Sequence, residues 1–221
     1  MASAVISGVT AEIVAANLDR VRERIAAAGA DPQAVEILAA VKYLAADALP
    51  ALVAGGITVV GENRAQELAR KRSAPGADQL TWDFIGQLQS RKVRDILPEV
   101  RYVHSVATDS ALEQLRRHGD DRTRVLIEVN VAGEAGKGGV APDELPAFLE
   151  RCPVTVVGLM TMPPLAHRPD DNRPHFAALR ALAERHGLRE LSMGTSQDYP
   201  AAVAEGATIV RLGSTLYEGA T

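Results

Sequence analysis

The sequence predicts an α/β protein: a single (β/α)8 barrel of the TIM type over residues 1–221, with an extra N-terminal helix. Three observations predict it. Short apolar or β-branched runs alternate with amphipathic stretches eight times. Eight such units in 221 residues suit a closed parallel barrel. Amides, a lysine and an arginine collect where the runs end, at the rim such a barrel uses for chemistry. A doubly wound open sheet is the rival arrangement of the same units.

From Val9 to Ala28 the apolar residues Ile13, Leu18, Val21 and Ile25 recur at helical spacing, and charges fill the opposite face. Gly29 and Asp31-Pro32 stop this helix. Val35–Val41 reads as a buried strand ending at Lys42. A helix over Ala45–Ala54 ends at Gly55-Gly56, and Ile57–Val60 is a β-branched strand running into Gly61-Glu62-Asn63. A helix begins near Arg64, and Ser73–Asp78 is turn-rich. Strand three is Leu80–Ile85, followed by Gln87–Lys92 leading into a helix to Leu97. Tyr102–Val106 is strand four, with Thr108 or Asp109 capping the next helix. Arg124–Val131 is strand five. A Gly-rich stretch, Ala132–Gly139, leads to a helix entered through Pro142-Asp143-Glu144. Strand six is Val154–Leu159, and Pro163–Pro174 is one long irregular loop. A helix over His175–His186 precedes strand seven, Glu190–Met193, and the turn Gly194-Thr195-Ser196. A helix over Tyr199–Ala204 precedes strand eight, Thr208–Leu212, and Gly213-Ser214-Thr215 opens a short final helix.

Composition excludes several classes. A net charge of -4 and a pI near 5.8 give no basic footprint for nucleic acid, and aromatics at 4% leave few stacking platforms. Cys152 is the only cysteine, which fits a reducing, cytoplasmic setting. The start Met1-Ala2-Ser3 carries no secretion signal, and no run reaches the ~18 apolar residues of a membrane span. The five histidines are dispersed with no ligand spacing, so no metal site is expected.

The chemistry collects at the strand ends. Lys42 follows strand one. Glu62-Asn63, Gln87 and Gln89, His104-Ser105, Asn130, Met160-Thr161, Ser192–Ser196 and finally Arg211 with Gly213-Ser214 follow or end the others. Lysine is the side chain that condenses with carbonyls when its amine is neutral. The two Gly/Ser turns after strands seven and eight offer backbone N–H groups and hydroxyls to an anion. A lysine, an arginine and a phosphate cradle at one mouth imply a ligand with an aldehyde and a phosphate. Pyridoxal 5′-phosphate fits, and so does a phosphosugar on a class I aldolase.

Several stretches together carry a resemblance. They are Leu38–Lys42, Gly61–Glu67, Trp82–Lys92, His104-Ser105-Val106, Glu128–Val131, Lys137-Gly138-Gly139, Gly158–Met162, Leu191–Ser196 and Ile209–Ser214. The chain resembles the pyridoxal phosphate homeostasis proteins (the YggS/PROSC family), whose barrel is similar to the N-terminal domain of alanine racemases. The resemblance implies that Lys42 forms a Schiff base with pyridoxal 5′-phosphate and that Arg211 faces the pyridine nitrogen and keeps it unprotonated. It implies phosphate contacts at Ser196, Gly213 and Ser214, with Met193 and Gly194 beside them, and Asn63 near the ring. The sequence departs from the common pattern at Val41, Leu44 and Thr195.

The family is described as holding or delivering the cofactor in vitamin B6 homeostasis, without an established reaction. The implied protein is a cytoplasmic monomer that serves apo-enzymes and touches neither membrane nor nucleic acid. The alternative is a racemase-like enzyme. A racemase of this type uses a second domain that carries a base. The chain ends at Thr221, shortly after strand eight, so one face of the cofactor is expected to stay open to water.

Overall fold

The computed structural model describes residues 6–165 and 167–220, with every side chain in them except that of Ser90. Met1–Ser3, Ala166 and Thr221 lie outside it. Eight parallel strands close into a barrel in sequence order. They are β1 (Glu36–Ala40), β2 (Val59–Glu62), β3 (Thr81–Phe84), β4 (Tyr102–Val106), β5 (Arg124–Glu128), β6 (Thr155–Met160), β7 (Glu190–Thr195) and β8 (Ile209–Leu212). Closure comes from β1 pairing with both neighbours: Leu38 lies opposite Val59 of β2 and Arg211 of β8.

The extra helix α1 (Ala11–Ala27) forms because Thr10 caps it, its hydroxyl accepting from the Ile13 N–H, and because Val14, Leu18, Val21 and Ile25 make one apolar stripe. The helices α2 (Leu49–Ala54), α3 (Ala65–Arg72), α4 (Val93–Ile96), α5 (Asp109–His118), α6 (Leu145–Arg151), α7 (Arg173–Arg185), α8 (Tyr199–Ala204) and α9 (Ser214–Tyr217) follow. Helix α1 packs against α2, α8 and α9, beside the seam between β1 and β8. Asn17, buried on that face, donates to the Leu216 and Glu218 carbonyls and ties α1 to α9.

The apolar core lies mainly between barrel and helices, where outward strand residues such as Val60, Val125 and Val210 meet Leu52, Leu68 and Leu115. Inside the barrel, Leu38, Val59 and Ile209 form a small apolar cluster joined by Ile85 and Tyr102. Buried beside it are Asp83, His104, Ser192 and Arg211. A barrel centre is ordinarily filled by branched apolar layers, so this polar column marks the interior as more than packing.

Several boundaries differ from the sequence reading, and the local reasons are visible. Strand β2 starts two residues late because the Ile57 N–H is used on the Leu52 carbonyl at the end of α2. The stretch 87–92 leads into a helix, α4, as the sequence reading has it, but the helix is short, with 3-10 turns on either side, Ser90–Lys92 and Leu97–Glu99, the second holding Pro98. Strand β7 runs on through the expected turn to Thr195, which pairs with Arg211 across a register shift. The segment 163–174 is not wholly irregular: Pro169–Asn172 is a 3-10 turn entering α7. The buried Asn172 side chain donates to the Pro164 carbonyl and to Asp198.

One ion pair fixes the start of the site. Lys71 and Glu62 are both fully buried and lie 2.5 Å apart. The Lys71 Nζ also donates to the Val41 carbonyl at 2.6 Å, while Glu62 Oε1 accepts the N–H groups of Asn63 and Arg64. The pair therefore clamps the ends of β1 and β2 together. Removing one partner leaves a buried unpaired charge, so Lys71→Met should cost about 3–5 kcal/mol in urea unfolding. Pairing it with Glu62→Gln should recover most of that loss. A Lys71→Met protein as stable as the wild type would contradict the clamp.

Candidate functional site

The turn that carries Lys42 is set by backbone bonds. Val41 donates to the Gly61 carbonyl, and Leu44 donates back to the Val41 carbonyl. Ile6 bridges to Leu44, and its N–H bonds the Tyr43 carbonyl at 2.9 Å. Lys42 is exposed, so its ammonium is not a buried charge. Its Nζ stands 4.9 Å from the centre of the Tyr43 ring. Among the described residues it pairs with no carboxylate.

A cavity of about 430 Å³ opens beside it at the C-terminal end of the barrel. Its walls are Ile6, Ala40, Lys42, Tyr43, Asn63, Ile85, Met162, Thr195, Ser196, Gln197, Arg211, Gly213, Ser214 and Tyr217. Two cations and no carboxylate line it, so the cavity favours an anion. On one side, the N–H groups of Gly213 and Thr215 converge on Ser196 Oγ at 3.2 and 3.3 Å. Donors gathered this closely suit the oxygens of a phosphate. Asp198 holds the Ser196 loop in place by accepting from the Thr195 N–H, the Thr195 hydroxyl and Asn172. Gly194 has φ +90, and a Cβ there would lie 2.6 Å from the Ala202 Cβ. Only glycine lets β7 approach α8 this closely.

Arg211 enters from the cavity floor, and only 6% of it is exposed. Its Nη1 donates to the Ser192 carbonyl and hydroxyl, both at 2.6 Å. Its Nη2 donates to the Thr161 carbonyl at 2.9 Å and reaches Met162 Sδ at 2.8 Å. These bonds occupy both Nη groups and leave Nε without one. Burial pulls the guanidinium down to about 10, with Glu128 and Asp198 opposing, so it stays charged at neutral pH. Burial raises the Glu128 carboxyl, with Arg211 and Lys137 opposing.

Behind Arg211 the polar column continues. Ser192 Oγ lies 2.8 Å from His104 Nδ1, and His104 Nε2 lies 3.1 Å from Asp83 Oδ2. Arg101 grips Asp83 and, with its other donors, Glu36. Burial raises the Asp83 carboxyl, but hydrogen bonds from His104 and Arg101 outweigh it and hold it below the ordinary range. Burial pushes the His104 imidazole down, and Asp83 only partly offsets this.

Six residues singled out in the sequence line the cavity: Lys42, Asn63, Ser196, Arg211, Gly213 and Ser214. Two do not. Met193 is buried in the layer between barrel and helices, and Gly194 supports the Ser196 loop from behind. Several rim residues have structural tasks. Glu62 belongs to the buried clamp, and the Asn130 side chain ties itself to Glu134. Gln87 and Gln89 line a separate cleft of about 80 Å³ that shares Asn63 with the main cavity. Asn63 Oδ1 is buried there with no hydrogen-bond partner. No group of three or more metal-binding side chains occurs among the described residues. Sequence reasoning missed Asp83 and Tyr217. Asp83, an acid at an inward position of a strand, carried a readable signal.

The alanine racemase N-terminal domain family model matches residues 9–221. A pyridoxal phosphate homeostasis protein of Pseudomonas aeruginosa is 40% identical over 217 residues, covering 94% of both chains. One from Aquifex aeolicus is 37% identical, covering 90% of this chain and 93% of its own. The chain belongs to the pyridoxal phosphate homeostasis proteins. A solved family structure, PipY of Synechococcus elongatus with PLP bound, superposes with a TM-score of 0.77 at 32% identity, over 92% of this chain and 99% of that one. An alanine racemase of Corynebacterium glutamicum, 18% identical, shares the fold with a TM-score of 0.70, over 97% of this chain and 63% of its own. No helix among the described residues is long and apolar enough to cross a membrane.

The two titrating groups of the column give this family member a pH signature. Asp83 is depressed in the fold, so its contribution is present above about 3.9 and is lost as pH falls through its lower folded value. His104 is depressed below about 6.5, so the unfolded chain takes up that proton first and stability drops as pH falls through this range. Urea unfolding should therefore show stability declining from about pH 6.5 downward. His104→Gln should flatten the upper part of that slope. A stability flat between neutral pH and about pH 5 would contradict a neutral buried His104.

Proposed function

We propose that this barrel, residues 1–221 acting as one domain, binds pyridoxal 5′-phosphate reversibly through a carbon–nitrogen link to Lys42 Nζ. On this reading it stores and delivers the cofactor in the cytoplasm. The observation that carries the reading is one cavity in which an exposed amine, a rigidly held guanidinium and a convergent N–H cradle face the same space. When bound, the cofactor supplies an aldehyde that condenses with a primary amine, with loss of water.

The residues present fit that group. Ser196, Gly213 and Ser214 take the phosphate, with Gly194 and Met193 supporting the loop behind them. Arg211 offers its uncommitted Nε–H to the ring nitrogen. A cationic donor there disfavours a protonated pyridine and weakens the ring as an electron sink, which suits holding over turnover. Asn63 Oδ1, buried without a donor, lies beside the ring. Lys42 and Tyr43 are exposed at the mouth, so water reaches the link and can reverse it. The lining side chains include neither carboxylate nor histidine, which leaves few groups to act as an acid or base. The protein acts as a monomer in this reading, and apo-enzymes are the recipients.

Titration with pyridoxal 5′-phosphate should shift the cofactor's absorption band to longer wavelength than that of the free aldehyde, and Lys42→Ala should abolish the shift. Pyridoxal, which lacks the phosphate, should bind roughly 100-fold more weakly, because two charge-assisted hydrogen bonds at the cradle are lost. A wild-type spectrum that is the sum of protein and free cofactor, or equal affinity for the two compounds, would overturn the reading.

A further inference from the structure

The chain of hydrogen bonds behind Arg211 has a direction. Asp83 is held ionised, so it can only accept. It accepts from Arg101 at 2.6 Å and therefore receives the His104 Nε2 proton at 3.1 Å. His104 is fully buried, with Arg211 and Arg101 both disfavouring a second proton on it. A neutral imidazole protonated on Nε2 presents Nδ1 as an acceptor. Ser192 must then donate its hydroxyl proton to His104, which leaves its oxygen lone pairs for Arg211 Nη1 at 2.6 Å. Every member has one assigned role: reversing Ser192 would set donors against each other, and reversing His104 would set its bare Nε2 against the Asp83 carboxylate, acceptor against acceptor.

We propose that His104 is a positioning residue that acts through the Ser192 hydroxyl to fix Arg211, so that Nε–H points at the ring nitrogen of the bound cofactor. This rests on the cofactor reading above and extends it to residues that do not touch the cavity. The geometry supports it from both ends. Arg211 has four hydrogen bonds, and only the one to Ser192 Oγ depends on the orientation of a rotatable hydroxyl. At the far end, Arg101 bonds Asp83 and Glu36 together, so the carboxylate that sets the His104 tautomer is itself immobile.

The test compares pyridoxal 5′-phosphate with its isostere carrying C–H in place of the ring nitrogen. Ser192→Ala should weaken binding of the first about tenfold, the range of one hydrogen bond to a charged group, and leave the second nearly unchanged. Ser192→Thr, which restores the hydroxyl, should recover affinity for the first. In ligand-free protein, nitrogen-15 NMR should find His104 protonated on Nε2 and bare on Nδ1. Equal losses with both compounds would assign Ser192 a merely structural role and overturn the proposal. A proton on Nδ1 would overturn it whatever the ligand result. A wild-type protein that binds neither compound would overturn the cofactor reading and this proposal together, while the tautomer would still report the direction of the chain.

Discussion

Leu38 of β1 lies in register with Arg211 of β8, and that pairing closes the barrel. The site depends on it. Arg211 rises from the interior at the level of Leu38, and Lys42 emerges two residues past the end of β1. An open sheet built from the same units would carry β1 and β8 at unrelated places. Closure brings the first and last strands together, with the Gly213–Thr215 backbone between them. Helix α1 covers this seam and holds α9 through Asn17, so the extra helix supports the site without entering it.

The barrel interior trades apolar packing for orientation. A guanidinium in a low-dielectric centre is costly unless its donors are satisfied. Arg211 meets that cost with carbonyls, a hydroxyl and a sulfur atom, and with no carboxylate in direct contact. The result is a cation that is firmly held but not neutralised by an adjacent charge. Glu128 and Asp198 act on it only from a distance, and the Asp83 and Glu36 carboxylates deeper in the barrel are compensated by Arg101. The Glu62–Lys71 pair follows the other strategy, a closed ion pair spent on fixing backbone. One buried lysine therefore builds the platform, and the exposed lysine on that platform pairs with no carboxylate among the described residues.

Much of this was legible in the sequence. Eight alternating units gave the fold class, because strand and helix periods differ and parallel strands require crossovers. That Lys42, Asn63, Ser196, Arg211, Gly213 and Ser214 share one cavity wall was legible because residues at strand ends gather at one rim of a barrel. What stayed hidden depended on pairing across the barrel. Glu62 ends a strand as a site residue would, but Lys71, nine positions later on α3, reaches it across the buried layer. Asp83, His104 and Ser192 lie on three different strands, and no local pattern says that their side chains meet inside. The end of β7 differs from its sequence signal because Gly194 spells a turn, whereas its positive φ serves the close approach to α8 within a continuing strand.

The chain has four lysines: Lys42, Lys71, Lys92 and Lys137. The central claim is that the first of them carries the cofactor. Borohydride treatment of the protein saturated with pyridoxal 5′-phosphate fixes the link irreversibly, and peptide mass mapping then locates it. The account predicts one modification, on the peptide containing Lys42, and an unmodified Lys71. Label on Lys71, Lys92 or Lys137 in place of Lys42, or no label at all, would contradict it.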